Sequence, residues 1–189
     1  VKGHDFPKVT LVGALAADMS LYTDDYRSGE RTFQLLTQAA GRAGRGDRPG
    51  EVVIQTYDPE HYAIEASAAQ DYEAFYEKEI RYRSLMGYPP VENLMAVLAA
   101  CEDEALLEKA CKYLKEYILR IKGQAQLNVI GPASPGVDKI KDIYRRVVYV
   151  KAPEYRTLVV LKDRMEQYIE INSGFQKMRI QFDFNPMNL

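Results

Sequence analysis

The sequence predicts an α/β segment followed by an α+β segment. Two observations lead to this prediction. Near the N-terminus, two short apolar runs enclose an amphipathic helical pattern, which is typical of parallel strands covered on both faces. After residue 90, the patterns follow the order strand, helix, strand, strand, helix, strand. We therefore divide the 189 residues into 1–58, 59–90 and 91–189.

Residues 1–58 are predicted to hold two strands and one helix. The apolar runs 9–17 and 51–57 suit buried strands, residues 18–28 are polar enough for a loop, and 30–40 contains good helix formers. The apolar face of that helix consists of Phe33, Leu36 and Ala40. Two strands and a helix are too few for a complete parallel sheet, so this segment is predicted to be a partial RecA-like lobe with apolar surface left uncovered.

Residues 59–90 are predicted to be a helical connector. Tyrosine, phenylalanine and alanine recur at helical spacing from Tyr62 to Ile80, and Gly87 and Pro89-Pro90 end the pattern. Two interpretations of the tyrosines stay open. They pack a helix between two domains, which is the plainer interpretation, or they stack on nucleic-acid bases.

Residues 91–189 are predicted to form a βαββαβ unit. The predicted strands are 91–101, 126–130, 145–150 and 178–184, with a short additional strand compatible with 137–141. The predicted helices are 103–121 and 153–171. This order is that of the ferredoxin-like, split βαβ fold.

Composition indicates a soluble intracellular protein. The hydrophobic share is 47%, the charged share is 28% and the net charge is −2, so any contact with DNA has to come from local basic patches. No apolar run reaches the roughly 20 residues of a membrane helix, and the first residues do not form a signal peptide. Cys101 and Cys111 lie in apolar contexts and are predicted to be buried free thiols. His4 and His61 have no further ligands at metal-binding spacing, so no metal site is expected.

The segment Gln38-Ala-Ala-Gly41-Arg42-Ala-Gly44-Arg45 is the strongest functional signal. Arginines near a helix C-terminus are common, and a basic helix end is the plain interpretation. A planar, permanently charged guanidinium also suits a phosphate whose negative charge grows in a transition state. The glycines let the backbone turn or approach a ligand closely.

The spacing Q-x-x-G-R-x-G-R resembles motif VI of superfamily-2 helicases. Val1-Lys-Gly-His-Asp-Phe-Pro resembles the end of helicase motif V, and Tyr26-Arg-Ser-Gly-Glu-Arg-Thr-Phe resembles the approach to motif VI in one family. That family is the bacterial primosomal replication-restart helicases (PriA, or primosomal protein N′). The resemblance continues through Gly50-Glu-Val-Val-Ile-Gln-Thr-Tyr-Asp-Pro-Glu-His and Gly87-Tyr-Pro-Pro and covers essentially the whole chain.

The resemblance implies a C-terminal part of an ATP-dependent helicase that moves 3′ to 5′ on DNA. It assigns nucleotide phosphate contacts to Gln38, Arg42 and Arg45, with Arg45 as the candidate arginine finger and both arginines as catalytic residues. It assigns DNA contacts to Lys2, Gly3 and His4. ATP and Mg²⁺ would be bound mainly by a lobe that precedes this segment in the whole protein. The family's zinc-binding cysteines are also expected upstream of this segment. The sequence has no G-x-x-x-x-G-K-[ST] loop, so the chain alone is predicted to be inactive.

A second basic cluster follows residue 136. It consists of Lys139, Lys141, Arg145, Arg146 and Lys151. Asp138 and Asp142 partly neutralise it, and a solvated basic face is the plain interpretation. The alternative is a site for phosphate or for an acidic protein tail on a sheet edge. Where the family often has Arg-Tyr-Arg-Trp-Gln, this chain has Ile143-Tyr-Arg-Arg-Val, without the first arginine, the tryptophan and the glutamine.

The partners implied by the resemblance are forked and single-stranded DNA, the tail of single-stranded-DNA-binding protein and other primosome proteins. The expected role is recognition of stalled forks and replication restart in the bacterial cytoplasm, in association with the nucleoid and not with a membrane. An alternative of a different class is a non-enzymatic α/β module that binds DNA or a protein tail.

Overall fold

A computed structural model describes residues 9–23, 25–44 and 49–187. The chain forms two compact units, Val1–Tyr82 and Arg83–Leu189. Each unit has its own hydrophobic core, and each combines helices with a sheet. The prediction of a mixed α and β protein is therefore confirmed.

The N-terminal unit contains a two-stranded parallel sheet. Strand β1 (Leu11–Ala14) pairs with β2 (Glu51–Ile54), and helix α1 (Ser28–Ala40) lies in the connection between them. Alternate side chains of both strands are exposed, Leu11 at 60% and Val53 at 51%. Because the described residues cover only alternate positions, this sheet leaves apolar side chains exposed, as the sequence predicted for a partial sheet.

Helices α1, α2 (Tyr62–Ala69) and α3 (Tyr72–Met86) supply the core of this unit. Phe33 of α1 stacks on Phe75 of α3 with ring centroids 4.3 Å apart. Ala63 and Ala66 of α2 complete the cluster. Small alanines on α2 allow the aromatic side chains of its neighbours to fill the space, so a weakly amphipathic helix still packs closely.

Residues 18–28 do not form only a loop. A 3₁₀ helix covers Ala17–Tyr22, and Asp18 is buried, with its Oδ2 atom accepting a hydrogen bond from the Tyr57 backbone N–H at 3.3 Å. The polar sequence predicted a loop here. The carboxylate is instead turned inward to a backbone donor, and sequence pattern does not reveal such a pairing.

In the part that the structure describes, the C-terminal unit contains five strands, two long α-helices and a short 3₁₀ helix at Ser173–Phe175. In chain order the strands and α-helices are β3 (Asn93–Cys101), α4 (Glu104–Ile121), β4 (Asn128–Ala133), β5 (Lys139–Ile140), β6 (Ile143–Ala152), α5 (Tyr155–Ile171) and β7 (Arg179–Phe184). The sheet is antiparallel with the order β4-β6-β3-β7, and β5 pairs with the start of β6.

One face of this sheet packs against α4 and α5. The residues that face the helices include Val97 and Ala99 of β3, Val148 and Val150 of β6, and Ile180 and Phe182 of β7. Leu107 and Leu114 of α4 and Leu158 of α5 are fully buried against them. Asp103 begins α4 as its cap, since its Oδ1 atom accepts from the Leu106 N–H at 2.9 Å.

Both cysteines belong to this core. Cys101 and Cys111 are buried and free, as predicted. Burial raises the pKa of the Cys111 thiol to about 12, with Glu108 adding to the rise and Arg146 opposing it. The thiol is therefore protonated at neutral pH and acts as a small apolar group.

Candidate functional site

The motif around Arg42 lies where α1 ends. Gln38 occupies the last turn of the helix, and Arg42 lies in the turn that follows. The Gly41 N–H bonds to Thr37 and the Arg42 N–H to Ala39, each at 3.0 Å, so the chain leaves the helix in a tight turn. Gly44 then adopts a φ of 71°, a left-handed conformation that suits glycine.

Gly44 also connects the motif to the strand β1. Its N–H donates to the Val9 carbonyl at 3.0 Å, immediately before β1 begins. The motif is thereby held beside the parallel sheet. A side chain at residue 44 would meet the Gly50 backbone, with the nitrogen 2.7 Å from an added Cβ atom, so glycine is required by both conformation and space.

Gln38 and Arg42 line one cavity of about 430 Å³. The cavity opens beyond the carboxyl end of β1, a location where open α/β sheets commonly bind ligands. Its other lining residues are Ala14, Leu15, Ala16, Ala17, Ser20, Thr32, Leu35, Leu36 and Ala39. The described lining thus contains a guanidinium, an amide and hydroxyls but no carboxylate.

This set of donors suits a phosphate group. An arginine and a glutamine both donate to phosphate oxygens, and a cavity lined without carboxylates does not repel an anion. The same lining supplies no acidic ligand for Mg²⁺. Four predicted site residues, Lys2, Gly3, His4 and Arg45, lie outside the described residues.

The second basic cluster is not one surface. Arg146 lies on the helix-facing side of β6, where its side chain is 14% exposed. Its guanidinium contacts Glu104 at 2.7 Å and Glu108 at 3.2 Å, both on α4. Arg146 therefore joins the sheet to α4 through two ion pairs.

Lys151 is also withdrawn from solvent, with an exposure of 5%. Its Nζ atom donates to the Met86 carbonyl at 2.7 Å and lies 3.6 Å from the centre of the Tyr88 ring. Burial lowers the pKa of Lys151, and Glu92 opposes that shift. This lysine holds the end of α3 and the turn at Gly87-Tyr88 within the C-terminal unit.

The other three basic residues of the cluster lie at the β5–β6 hairpin. Lys139 pairs with Asp142 at 3.0 Å and lies 4.7 Å from the Tyr144 ring centre. Lys141 is exposed in the turn, and Arg145 donates to the Val137 carbonyl at 3.2 Å. The structure thus brings Lys139, Lys141 and Arg145 together and separates them from Arg146 and Lys151.

A second cavity lies between the end of α4 and the start of α5. It has a volume of about 280 Å³ and an apolar floor that includes Leu127, Val160 and Leu161. Its cationic lining residues are Lys122, Arg156 and Arg164, with Glu154 as the acidic one. This group cannot be recognised in the sequence, because three positions so far apart form no local cluster and only the packing of the two helices brings them together.

Neither a membrane span nor a metal cluster is found in the part of the chain that the structure describes. No helix there is long and apolar enough to cross a membrane. Among the same residues, no group of three or more His, Cys, Asp or Glu side chains is placed to hold a metal ion.

Comparison with known proteins identifies similar sequences. Residues 84–187 match the family "Primosomal protein N C-terminal domain". The chain is 38% identical over 185 residues to the replication restart protein PriA of Bacillus subtilis, covering 98% of this chain and 23% of that protein. It is 37% identical over 188 residues to the PriA of Synechocystis, covering 100% of this chain and 22% of that protein. It is 33% identical over 189 residues to the PriA of Haemophilus influenzae, covering 100% of this chain and 25% of that protein.

Proposed function

Because the chain belongs to the primosomal protein N C-terminal domain family, we propose that it is the C-terminal part of an ATP-dependent 3′-to-5′ DNA helicase. In this proposal the whole protein recognises stalled replication forks and restarts replication by primosome assembly. The relatives named replication restart protein PriA support the proposal. The chain spans about a quarter of their length, so it would supply only part of the motor.

The shared cavity of Gln38 and Arg42 is the observation that carries the motor assignment. The parallel β1–β2 pair with α1 in its connection supports a partial RecA-like lobe. ATP, when bound, supplies the phosphoryl-transfer chemistry. The Gln38 amide and the Arg42 guanidinium would hold its phosphate oxygens, while Arg45 is proposed as the finger from the motif spacing. Mg²⁺ would be held by residues outside this cavity.

The C-terminal unit is proposed to be a ferredoxin-like module that contacts DNA. Its βαββαβ order and antiparallel sheet support that fold. The hairpin residues Lys139, Lys141 and Arg145 are proposed to contact the DNA backbone. The ion pairs of Arg146 and the buried position of Lys151 favour structural roles for these two residues.

The cavity between α4 and α5 is proposed as the site for the acidic tail of single-stranded-DNA-binding protein. Carboxylates of the tail would pair with Lys122, Arg156 and Arg164, and an apolar side chain would rest on Val160 and Leu161. Cations around an apolar floor suit a tail that carries both carboxylates and an apolar side chain, and this combination supports the assignment. Other primosome proteins remain proposed partners without an assigned surface.

Mutation of the motif in the full-length protein tests the motor assignment. Arg45→Ala is expected to reduce DNA-stimulated ATP hydrolysis by about 10³–10⁵-fold while ATP binding persists. Gln38→Ala and Arg42→Ala should weaken ATP binding. Gln34→Ala is the matched control, because Gln34 lies one turn earlier on α1, bonds to Glu30 and does not line the cavity. Near-normal turnover of the Arg45→Ala protein would refute the assignment of Arg45 as the arginine finger.

A peptide titration tests the tail site. Arg156→Glu and Arg164→Glu are expected to abolish binding of an acidic tail peptide to the chain. Arg120→Glu should leave binding unchanged, since Arg120 lies over the Tyr117 ring and does not line the cavity. Equal losses in all three variants would indicate a general charge effect and no specific site.

The two binding surfaces of the C-terminal unit also support the alternative function, a non-enzymatic binding module. The 189-residue chain by itself would then act as a binding module, since its sequence lacks a phosphate-binding loop. Measuring ATP hydrolysis by the purified chain distinguishes a binding module from a motor. We expect no turnover at any DNA concentration, and robust hydrolysis would show that the chain holds a complete motor.

A further inference from the structure

Two arginines flank an alanine in the C-terminal sheet. In the register of β3 with β6, Ala100 lies opposite Arg145. In the register of β3 with β7, the same Ala100 lies opposite Arg179. Because directly paired residues of neighbouring strands point to the same face, both arginines and the alanine form one row across three strands.

This row lies on the face of the sheet that points away from α4 and α5. Ala99 and Ile180, the neighbours of Ala100 and Arg179 in sequence, belong to the core against α4 and α5. Since side chains alternate along a strand, Arg145, Ala100 and Arg179 project to the opposite face. Arg179 is exposed, and Arg145 and Ala100 are half-buried, so the row is accessible in the described structure.

The next row adds an apolar floor. It consists of Leu98, which lies opposite Val147 on one side and Gln181 on the other. Leu98 is half-buried and Val147 is buried, whereas Gln181 is exposed. The methyl group of Ala100 leaves space above the strand between the two arginines, and the aliphatic surface of Leu98 borders that space.

The two guanidinium groups are available for an anion. Neither guanidinium has an ion pair within the described ranges, where the Arg145 side chain donates to the Val137 carbonyl at 3.2 Å. Two carboxylates lie close to this row in the sequence. Glu102 follows the last residue of β3, and Asp183 comes four residues after Arg179 in β7. Strands two apart in a sheet are separated by about 10 Å, so two arginines can reach one phosphate together or two successive phosphates.

We propose that this row is a binding site for the sugar-phosphate backbone of single-stranded DNA. Arg145 and Arg179 hold phosphate groups, and a base rests against Leu98. The proposal rests on the proposed function in assuming that the chain works on DNA. A single strand is favoured over a duplex, because only an unpaired base can turn its flat apolar surface onto the sheet while its phosphates meet the arginines.

The test measures binding of a fluorescent oligothymidylate by the 189-residue chain at several salt concentrations. Each phosphate contact on a single strand contributes about 0.7 to the slope of log affinity against log salt. Arg179→Ala and Arg145→Ala should each lower that slope by about 0.7 and weaken binding at low salt. Arg120→Ala is the matched control on the helix side of the sheet and should change neither quantity. Glu102→Gln should strengthen binding, since it removes a negative charge two residues after Ala100.

Several outcomes would overturn the inference. If Arg145→Ala weakens binding and Arg179→Ala does not, the hairpin alone contacts DNA. If a duplex of equal length binds as tightly and with the same dependence on Arg179, the site does not select single strands. Loss of acidic-peptide binding in Arg179→Ala with DNA binding intact would assign the row to a protein. The motor assignment is tested separately, by ATP hydrolysis in the Arg45 variant and ATP binding in the Gln38 and Arg42 variants, so its failure is distinguished from failure of this inference.

Discussion

Arg145 and Arg146 are consecutive residues of β6, yet their side chains leave the sheet on opposite faces. Arg146 pairs with Glu104 and Glu108 of α4 in the helix layer. Arg145 lies in register with Ala100 on the face away from α4 and α5. A variant that reverses both charges therefore combines the loss of a surface cation with the disruption of two partly exposed ion pairs to α4, and its binding defect would have two causes.

Single substitutions at these positions should separate stability from binding. Arg146→Ala is expected to lower the free energy of unfolding by about 1 kcal/mol, because it removes two partly exposed ion pairs and the packing of the arginine stem. Arg145→Ala should change stability by less than about 0.5 kcal/mol. Urea unfolding followed by circular dichroism measures both. Equal stability of the two variants would contradict the structural role given to Arg146.

His61 should make the N-terminal unit sensitive to acid. Its Nδ1 atom accepts a hydrogen bond from the Ala63 N–H at 3.2 Å as the cap of α2, and burial lowers the pKa of the imidazole below 6.5, against the opposing charges of Asp58 and Glu79. Below pH 6.5 the unfolded chain takes up a proton that the folded chain resists, so the free energy of unfolding falls as the pH falls.

His61→Asn tests this acid sensitivity. Asparagine keeps a capping acceptor and does not titrate, so the variant should lose less stability than the parent between about pH 7.5 and pH 5.5. Carboxylates titrate in both proteins, and the difference between the two stability profiles isolates the imidazole. Parallel profiles would show that His61 has the same pKa in both states.

The thiols should resist modification in the folded chain. Cys111 is fully buried with a pKa of about 12, and Cys101 is buried at the end of β3, with its sulfur 3.6 Å from the Lys177 carbonyl. Since the thiolate is the reactive form, a thiol reagent at neutral pH should react with neither cysteine until denaturant is added. Fast labelling of either cysteine under native conditions would contradict this packing.

Gly29 should be coupled energetically to Tyr62. The Tyr62 hydroxyl donates to the buried Glu79 carboxylate at 2.6 Å, and a Cβ atom on Gly29 would lie 2.8 Å from that hydroxyl and 2.9 Å from the carboxylate oxygen. Gly29→Ala is therefore expected to cost about 1–3 kcal/mol despite the higher helix propensity of alanine. Tyr62→Phe should cost about 1–3 kcal/mol through the lost donor.

The double variant Gly29→Ala, Tyr62→Phe tests whether steric crowding by the Tyr62 hydroxyl causes the loss of stability. Tyr62→Phe removes the nearest atom that a Cβ atom at residue 29 would meet, so Gly29→Ala should cost less in that background. The measured loss for the pair should then be smaller than the sum of the single losses. Additivity within about 0.5 kcal/mol would mean that the hydroxyl does not limit residue 29.

Periodic patterns allowed several elements to be predicted from sequence. Residues 178–184 alternate between apolar and polar, as a strand with one buried face must, and Ile180, Phe182 and Phe184 of β7 pack against the core. Boundaries differed by a few residues: β6 begins at Ile143, not Arg145, since its start pairs with β5 in a hairpin whose register the sequence does not specify.

The candidate sites were less predictable, because they depend on which elements become neighbours. Composition grouped Lys151 with the hairpin lysines, whereas packing against Tyr88 and Met86 buries it. Arg179 lies far from Arg145 in the sequence and enters the same row only through β3, which separates them. Local sequence holds no signal for such a juxtaposition. Gln38 and Arg42, by contrast, are one helical turn apart at one helix end, so their common cavity follows from local geometry.

The central position of β3 has a consequence for amide hydrogen exchange. β3 pairs along its length with β6 and over six positions with β7, so its interior amides can meet solvent only when a neighbouring strand separates. Deuterium uptake there should report the global opening of the C-terminal unit. The four-residue ladder of β1 and β2 has partly exposed positions throughout and should exchange through smaller local openings. A single exchange experiment thus yields a separate opening free energy for each unit.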